Sequence, residues 1–431
     1  MVMPRAARGR LGMDKVTIGA QVTRLLTSKG LRQARRLWHA APRLLTRARG
    51  KLLFFYEPGD PYSHLAVQYL EPLAARYRVR PRAYLVPPPP DDAAPDRARL
   101  AAWALRDAML LAPVHRLSFP AGAAPQSPER VRDFAASLTG ALRQADFAHT
   151  ATLTGTAFWD GRRLPEANAT PDAALAEGGA LRAKLGHYLG GTFYFEGEWY
   201  WGVDRLHHLQ ARLAEAGLDT AQGTPGPAPC PDVTLTGRPG GGRRLHFFLS
   251  LRSPYTYIAA PRVFALARHY QADLQLRFVL PMVMRGLAVP RAKRLYIALD
   301  TKREAERLGM DFGFIADPVG RGAERGLAVL HHAIAAGRGP EFALSFLKGV
   351  FADGIDAATD KGLAALATRA GVSGAQVRVA LADESWRDVA EANRQEMLAM
   401  GLWGVPSFRV DDRPGHWGQD RLFRIEQDLN G

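Results

Sequence analysis

Ser253 is the residue at which this chain most readily suggests chemistry. It follows Leu245–Leu249, a short and almost continuous apolar run of the length of a buried strand. Pro254 comes next, and then Tyr255, Tyr257, Ile258, Val263 and Leu266 recur at helical spacing. Serine is a favoured N-cap, and proline suits the first helical position. The stretch LHFFLSLRSPYTYIA is therefore expected to run strand, tight turn, helix. That places a hydroxyl at the positive end of a helix dipole, where it can steady an anion. The same Ser-Pro pair also satisfies an ordinary helix cap.

The elements that must hold Ser253 occur twice. Leu52–Tyr56 is a strand-like run followed by Asp60-Pro61-Tyr62-Ser63 and a helical pattern through Leu65, Tyr69 and Leu73. A second strand is expected over Arg82–Val86, then helical stripes through Leu100–Leu111 and Val131–Leu142. Two aromatic-rich strands follow, joined at Glu196-Gly197-Glu198, the pattern of a hairpin. Pro61-Tyr62 recurs as Pro254-Tyr255, Val86-Pro87 as Leu280-Pro281, and GVDRL at 202–206 as GQDRL at 418–422. The register holds across most of a domain, and its growth from 193 to 216 residues predicts a longer helical insert in the second copy. In that copy helices are expected over Arg294–Leu308 and Gly326–Ala336. Gly404-Val405-Pro406-Ser407-Phe408 then precedes a strand–turn–strand reading through Asp411-Asp412-Arg413. The order in each copy is βαβ, helices, ββα. The expected fold is α/β, two tandem thioredoxin-like domains, each with an all-helical insert, preceded by a basic helical arm. The boundaries are 1–50 for the arm, 51–219 for the first domain, 220–242 for a Pro/Gly-rich linker and 243–431 for the second domain.

The net charge of +15 suggests a nucleic-acid partner until it is located. Residues 1–50 hold 12 Lys/Arg against Asp14 alone, so they carry +11 and the other 381 residues only +4. Ile18, Val22, Leu25 and Leu26 share one helical face of the arm, and Leu37 and Trp38 lie on a second short segment, among Arg24, Lys29, Arg32, Arg35 and Arg36. The arm is expected to pack on its own protein with a solvated basic face. Contact with an anionic membrane surface, a transit or other targeting role, and nucleic-acid binding are the other readings. No run approaches the ~18 apolar residues of a membrane span, and no secretory signal is evident. Met13 is an alternative start. Cys230, the only cysteine, lies in the linker, so no intramolecular disulfide or zinc cluster of cysteines can form, and a cytoplasmic location is expected. His64, His187, His207, His208, His331 and His332 show no metal spacing. Adjacent helical histidines are expected to point apart, so no metal is expected.

SPYTY after the first strand, LP after the second, AKRLYIALDTKREAERLG in the insert, GVPSF and GQDRL together resemble one family. It is that of 2-hydroxychromene-2-carboxylate isomerase and kappa-class glutathione transferase, which implies that the thioredoxin-like domains are of the DsbA type. The resemblance covers 243–431 in order, and 51–219 through DPYS, the strand pattern and GVDRL. It implies glutathione as cofactor, with Ser253 contacting its sulfur. Val405-Pro406 would be a cis-proline turn whose Val405 backbone pairs with the cysteinyl unit, and Gln419 and Asp420 would hold the γ-glutamyl end. A hydroxyl donor at a helix N-terminus independently suits a thiolate. Arg421 could serve as a structural partner of Asp420. The family often has an acid where this chain has Ser250, and Arg252 directly precedes Ser253. Lys293, Arg294, Tyr296 and Asp300 could line an acidic substrate's pocket or form a solvated helix face. In the first copy Asp60 stands for Ser253 and Thr192 for Pro406, which implies a degenerate copy.

The resemblance thus implies a glutathione-dependent isomerase acting on an aromatic or other electrophilic small molecule. A kappa-type transferase and a non-catalytic binding or scaffold protein are the alternatives. Nucleic acid is not an expected partner, and a homo-oligomer is compatible with the pattern. A disulfide oxidoreductase is disfavoured because neither helix start carries cysteine.

Overall fold

A computed structural model describes residues 15–144, 146–167, 169–238 and 240–431. The alternative start Met13 and the first basic residues, Arg5, Arg8 and Arg10, lie outside the described residues. The first half builds a four-stranded sheet from β1 (Gly50–Tyr56), β2 (Val79–Leu85), β3 (Thr192–Phe195) and β4 (Glu198–Trp201), in the order β2-β1-β3-β4. The second half repeats it with β5 (Arg244–Leu249), β6 (Asp273–Phe278), β7 (Ser407–Val410) and β8 (His416–Trp417), in the order β6-β5-β7-β8. The first two strands of each sheet are parallel and the others antiparallel. Each sheet is thioredoxin-like in strand order, and the fold is α/β as expected. A central strand covered on both faces needs apolar residues at every position rather than alternate ones. Leu52 to Tyr56 supply them, and Leu245 to Leu249 do so except at His246, which is buried with the rest.

The insert is longer in the second half, as the register shift requires. Four α-helices separate β2 from β3: Arg97–His115, Pro128–Thr139, Phe147–Trp159 and Asp172–Lys184. Six separate β6 from β7: Arg291–Arg307, Arg321–Ala335, Gly339–Phe351, Asp360–Arg369, Gly374–Leu381 and Trp386–Ala399. The helix after Asp60 is broken at Tyr69 into Pro61–Val67 and Leu70–Arg76, whereas its counterpart Pro254–His269 is continuous. The linker is tied down despite its composition. Asp232 pairs with Arg262 at 2.8 Å and Arg307 at 2.6 Å. Gln210 exchanges hydrogen bonds with Ala228, and Thr234 N–H donates to Glu426 at 2.7 Å.

The halves dock by trading side chains. Trp103 from the first insert packs with Phe248, Met397 and Leu402 of the second half. Tyr296, 193 residues on, packs with Phe55, Tyr84 and Trp199 of the first. Phe248 likewise stands 193 residues after Phe55, so the exchange is reciprocal.

The arm corrects one expectation. Of its helices, Lys15–Leu26 and Lys29–Thr46, the second turns three arginines inward, while Arg24 and Lys29 stay exposed. Arg32 pairs with Glu306 at 2.7 Å, Arg36 with Glu198 and Glu215, and Arg43 with Glu196 at 2.6 Å. These arginines and Ala40 recur every three or four residues, so they form one stripe, and the carboxylates beneath it are stronger partners for that stripe than water. Among the described residues no helix is long and apolar enough to cross a membrane.

Candidate active site

Ser253 caps the helix Pro254–His269, its Oγ accepting the Thr256 N–H at 3.2 Å. The hydroxyl is half-buried and donates across the site to the Val405 carbonyl at 3.4 Å. The Val405–Pro406 peptide is cis, as the motif implied. The donation is long for an O–H···O bond, so the proton can be redirected to an incoming anion at little cost. Arg252, next to it, is held away by a bidentate pair with Asp317 at 2.7 and 2.6 Å.

In the first half the same turn is closed. Asp60 accepts from the backbone of Tyr62 and Ser63 at 3.2 and 2.9 Å and from the Ser63 hydroxyl at 2.7 Å. Burial raises its pKa, against the pull of those donors. Gly191, at φ +61°, approaches so closely that a Cβ there would lie 3.1 Å from Ser63 N and 3.2 Å from Asp60 Oδ2. Glu57 occupies the place of Ser250; its carboxyl pKa is pushed well up, first by burial and then by Asp60. This turn is filled by the protein's own groups.

The Asp-Arg pairs of GVDRL and GQDRL cross between the halves. Arg205 reaches Asp300 with Nε at 2.9 Å and Asp420 at 2.8 and 3.1 Å. Arg421 reaches Asp107 at 2.7 Å and Asp204 at 2.8 and 3.0 Å. Asp107 and Asp300 are themselves 193 residues apart, and each accepts a tyrosine hydroxyl at 2.8 Å, from Tyr62 and Tyr255. Arg421 therefore does not partner Asp420; Arg205, from the other half, does. The two aspartates nevertheless differ. Burial and the neighbouring carboxylates of Asp204 and Glu304 push Asp420 up to about 6, over the opposing pull of Arg205. Asp204 goes down, because Arg421, Arg205 and His115 outweigh its burial. Leu111 stands where Glu304 stands in the second half, so the first site lacks the extra negative charge.

Gln419 is buried, with its side chain bonded to Arg262, Asp420 and Glu304. Arg262 lies on the helix that Ser253 caps and also reaches the Gln419 carbonyl at 3.3 Å, which ties the Asp420 turn to the site helix. A polar cleft opens beside Asp420, between Cys230, His207, Asp232 and Arg307. Ser253 is not among its lining residues.

The four insert residues do not share one pocket. Tyr296 and Asp300 are buried between the halves, Arg294 is exposed, and Lys293 donates to the Ala93 carbonyl at 2.8 Å while lying 5.7 Å over the Trp403 ring. What the sequence reading missed is an aromatic wall. Trp417 stands 6.3 Å from Trp103 of the first half and 6.1 Å from Trp403, and it packs against Gly404 next to Val405. The Trp403–Trp417 spacing, on either side of the GVPSF motif, was a usable signal; Trp103 was not, since only docking brings it there.

The histidines bring a second correction. His207 and His208 converge rather than diverge: Nε2 of each faces Glu304 Oε1, at 3.3 and 2.6 Å. Their rings lie 4.0 Å apart, and the three ligating atoms fall within 4.8 Å of one another, a set that could hold a divalent cation. Burial lowers His207, but the Cys230 thiol and Glu304 more than compensate and raise it to about 9. His208 goes down to about 4, by burial first.

Residues 244–430 match the family model of the DSBA-like thioredoxin domain. No curated protein sequence matches the chain. Among solved structures, a 2-hydroxychromene-2-carboxylate isomerase is 20% identical, with 43% of this chain and 93% of that one covered and a TM-score of 0.38. A probable DsbA oxidoreductase from Streptomyces coelicolor is 23% identical, with 43% and 89% covered and a TM-score of 0.34. A cytosolic disulfide reductase DsbM from Pseudomonas aeruginosa, solved with GSH, is 18% identical, with 43% and 95% covered and a TM-score of 0.32. The second half of the chain carries a DSBA-like thioredoxin domain.

Proposed function

We propose that the second half binds glutathione and uses its thiolate as the nucleophile of an isomerase of the 2-hydroxychromene-2-carboxylate isomerase type. One observation carries this reading. A half-buried serine hydroxyl, rather than a cysteine, stands at the N-terminus of a 16-residue helix and faces the Val405 carbonyl at the cis-proline turn. The only thiol of the chain, Cys230, is in the linker, so a sulfur nucleophile at this turn has to come from a ligand. The hydroxyl and the helix N-terminus both favour its anionic form. The Val405 backbone would pair with the cysteinyl unit as an added strand edge. The Asp420 turn packs against Arg262, nine residues along the same helix, a rise of about 13 Å. An extended tripeptide spans about 10 Å, and the γ-linkage lengthens it. Asp420 would take the ammonium of the γ-glutamyl end.

In the reaction the thiolate adds to the conjugated double bond of an aromatic α-keto acid. A C–S bond forms, the C=C π pair moves onto the carbonyl oxygen as an enolate, rotation occurs about the resulting single bond, and the enolate collapses to expel the thiolate. Glutathione is regenerated and nothing is oxidised. Trp403 and Trp417, both half-buried, offer flat apolar faces for such a substrate, with the buried Trp103 6.3 Å from Trp417. If the substrate carries a leaving group instead, the C–S bond persists and the outcome is conjugation, the transferase alternative.

Ultraviolet absorbance of the bound thiolate tests the reading. Ser253→Ala should raise the apparent pKa of bound glutathione and lower turnover together. Unchanged absorbance and turnover remove Ser253 from the mechanism. Calorimetric titration with glutathione that shows no heat and no competition leaves only the scaffold alternative.

A further inference from the structure

We propose that His207, His208 and Glu304, with Cys230 as fourth ligand, form a divalent transition-metal site of the zinc type where the halves meet the linker. The ligands come from three separate segments: the helix Leu206–Glu215, the insert helix Arg291–Arg307 and the Pro229-Cys230-Pro231 turn. His207 Nε2 makes no hydrogen bond among the described residues, although it stands 3.3 Å from Glu304 Oε1. The carboxylate is divided between two tasks. Its Oε2 accepts from Arg307 at 3.1 Å and from Gln419 at 3.4 Å, and this holds Oε1 toward the imidazoles. Outer partners of this kind orient metal ligands. Arg205, the nearest other cation, is already engaged by Asp300 and Asp420. Cys230 is exposed and lines the same cleft as His207 and Glu304. It would bind as thiolate, its proton leaving to solvent. Two imidazoles, a carboxylate and a thiolate are a ligand set that tetrahedral zinc accepts. The equivalent positions across the duplication are Phe423, Arg424 and Leu111, which cannot ligate, so the site belongs to one side of the interface only.

The test uses the full chain, stripped with a chelator and titrated with Zn²⁺ against a chromophoric competitor, then with Co²⁺. One equivalent should bind, and the Co²⁺ form should show tetrahedral ligand-field bands with a sulfur-to-metal charge-transfer band. Outer-shell losses cost 10–100-fold, so loss of a ligand in His208→Ala should weaken Zn²⁺ binding by about 100-fold or more. Cys230→Ser should abolish the charge-transfer band and also weaken Zn²⁺ binding. His331→Ala/His332→Ala should change nothing. Absence of binding, or equal affinity in His207→Ala/His208→Ala, overturns the proposal and leaves a histidine–carboxylate ion pair.

A second inference rests on the arm alone. We infer that its outward face docks on an anionic lipid surface. Leu37, Trp38 and Leu45 are 66, 80 and 86% exposed, and Ile18, Val22, Leu25, Leu26 and Leu44 are exposed with them. Among the described residues, eight of the twelve exposed large hydrophobic side chains lie on these two helices, far more than scattered surface residues would give. Exposed Arg24, Lys29, Arg47 and Arg49 lie among and beyond them, within a segment of net charge +11. Buried apolar area and attraction to anionic headgroups are the two terms that hold such a helix on a bilayer. Full-length protein should float with phosphatidylcholine vesicles containing phosphatidylglycerol and not with phosphatidylcholine alone. Trp38→Ser/Leu45→Ser should reduce flotation at least about tenfold. Equal recovery with and without vesicles overturns the inference. So does a dimer in sedimentation that the same double variant dissociates, which would assign the face to a second copy.

Discussion

The two halves share a strand order and a set of interface residues but differ at the turn where each sheet meets its first helix. In the second, Ser253 leaves a hydroxyl half-open beside the Val405 carbonyl. In the first, Asp60 is surrounded by three donors and covered by Gly191. The outer framework is kept on both sides, down to the tyrosine–aspartate bonds and the crossed arginines. The difference at the turn itself is that Asp60 stands for Ser253 and Thr192 for Pro406. The first half thus serves its partner. It supplies Arg205 to the Asp420 corner and Trp103 to the aromatic wall, as a second subunit would in a dimer.

The crossed arginines give the strongest way to test that likeness. Arg205→Ala strands Asp420 with Glu304 close by and leaves Asp300 to Arg303, whereas Arg421→Ala strands Asp107 and Asp204. Breaking a buried pair costs about 3–5 kcal/mol. Both variants should lose stability on that scale in chemical denaturation, Arg421→Ala the more, because Arg303 still pairs with Asp300. Equal losses below about 1 kcal/mol would show that the halves do not depend on the exchange.

Next in size is activity. Loss of one donor to a developing anion costs about 10²–10³ in turnover, the drop expected for Ser253→Ala in a glutathione-dependent isomerisation assay. Asp60→Ala should leave turnover intact and cost only the ~1 kcal/mol of a helix cap. A comparable fall in both would mean that the first turn is also a site.

His64 sharpens the contrast in acid. It is buried with neither ring nitrogen hydrogen-bonded, and burial lowers it to about 4; Tyr257 occupies the matching place and donates to the Asp311 carbonyl. The unfolded chain takes up this proton near pH 6.5 and the folded one only near 4. Stability is therefore complete above 6.5 and falls as pH drops through that window, by about 2 kcal/mol at pH 5. His64→Leu should shrink the difference in melting temperature between pH 7 and pH 5, and an unchanged difference would place the acid sensitivity elsewhere.

Asp420 carries the smallest effect. With its carboxyl raised to about 6, acidification below that point removes the charge meant for an ammonium, so glutathione affinity should fall by up to about tenfold per pH unit. Asp420→Asn should lower affinity at pH 7 and abolish this limb. A limb that survives the substitution belongs to another group.

Much of the site was legible because its signals are local. Leu245–Leu249 as a strand, Ser253-Pro254 as a cap and Val405-Pro406 as a turn each follow from neighbours in sequence, and the structure holds all three. The recurrence of GVDRL as GQDRL disclosed two similar units, but not that their arginines would cross. That His207 and His208 meet Glu304, 96 residues after the second of them, was not legible either. Helical periodicity sends neighbours apart, and only a carboxylate presented by the other half draws both rings to one point. The arm failed for a related reason. Arg32, Arg36 and Arg43 form a stripe whose natural partner in isolation is water, until Glu306, Glu198 and Glu196 are assembled beneath it.

The amino-acid order by itself determined the strands, the caps, the repeat and the absence of cysteine at either helix start, because these rest on backbone preference and on contacts within a turn or two. Tertiary structure alone decided which aspartate meets which arginine, which face of the arm sees solvent, and which turn stays open. Those outcomes depend on charges and apolar surfaces brought together from distant segments, where desolvation makes every unpaired group costly and the docked geometry selects its partner.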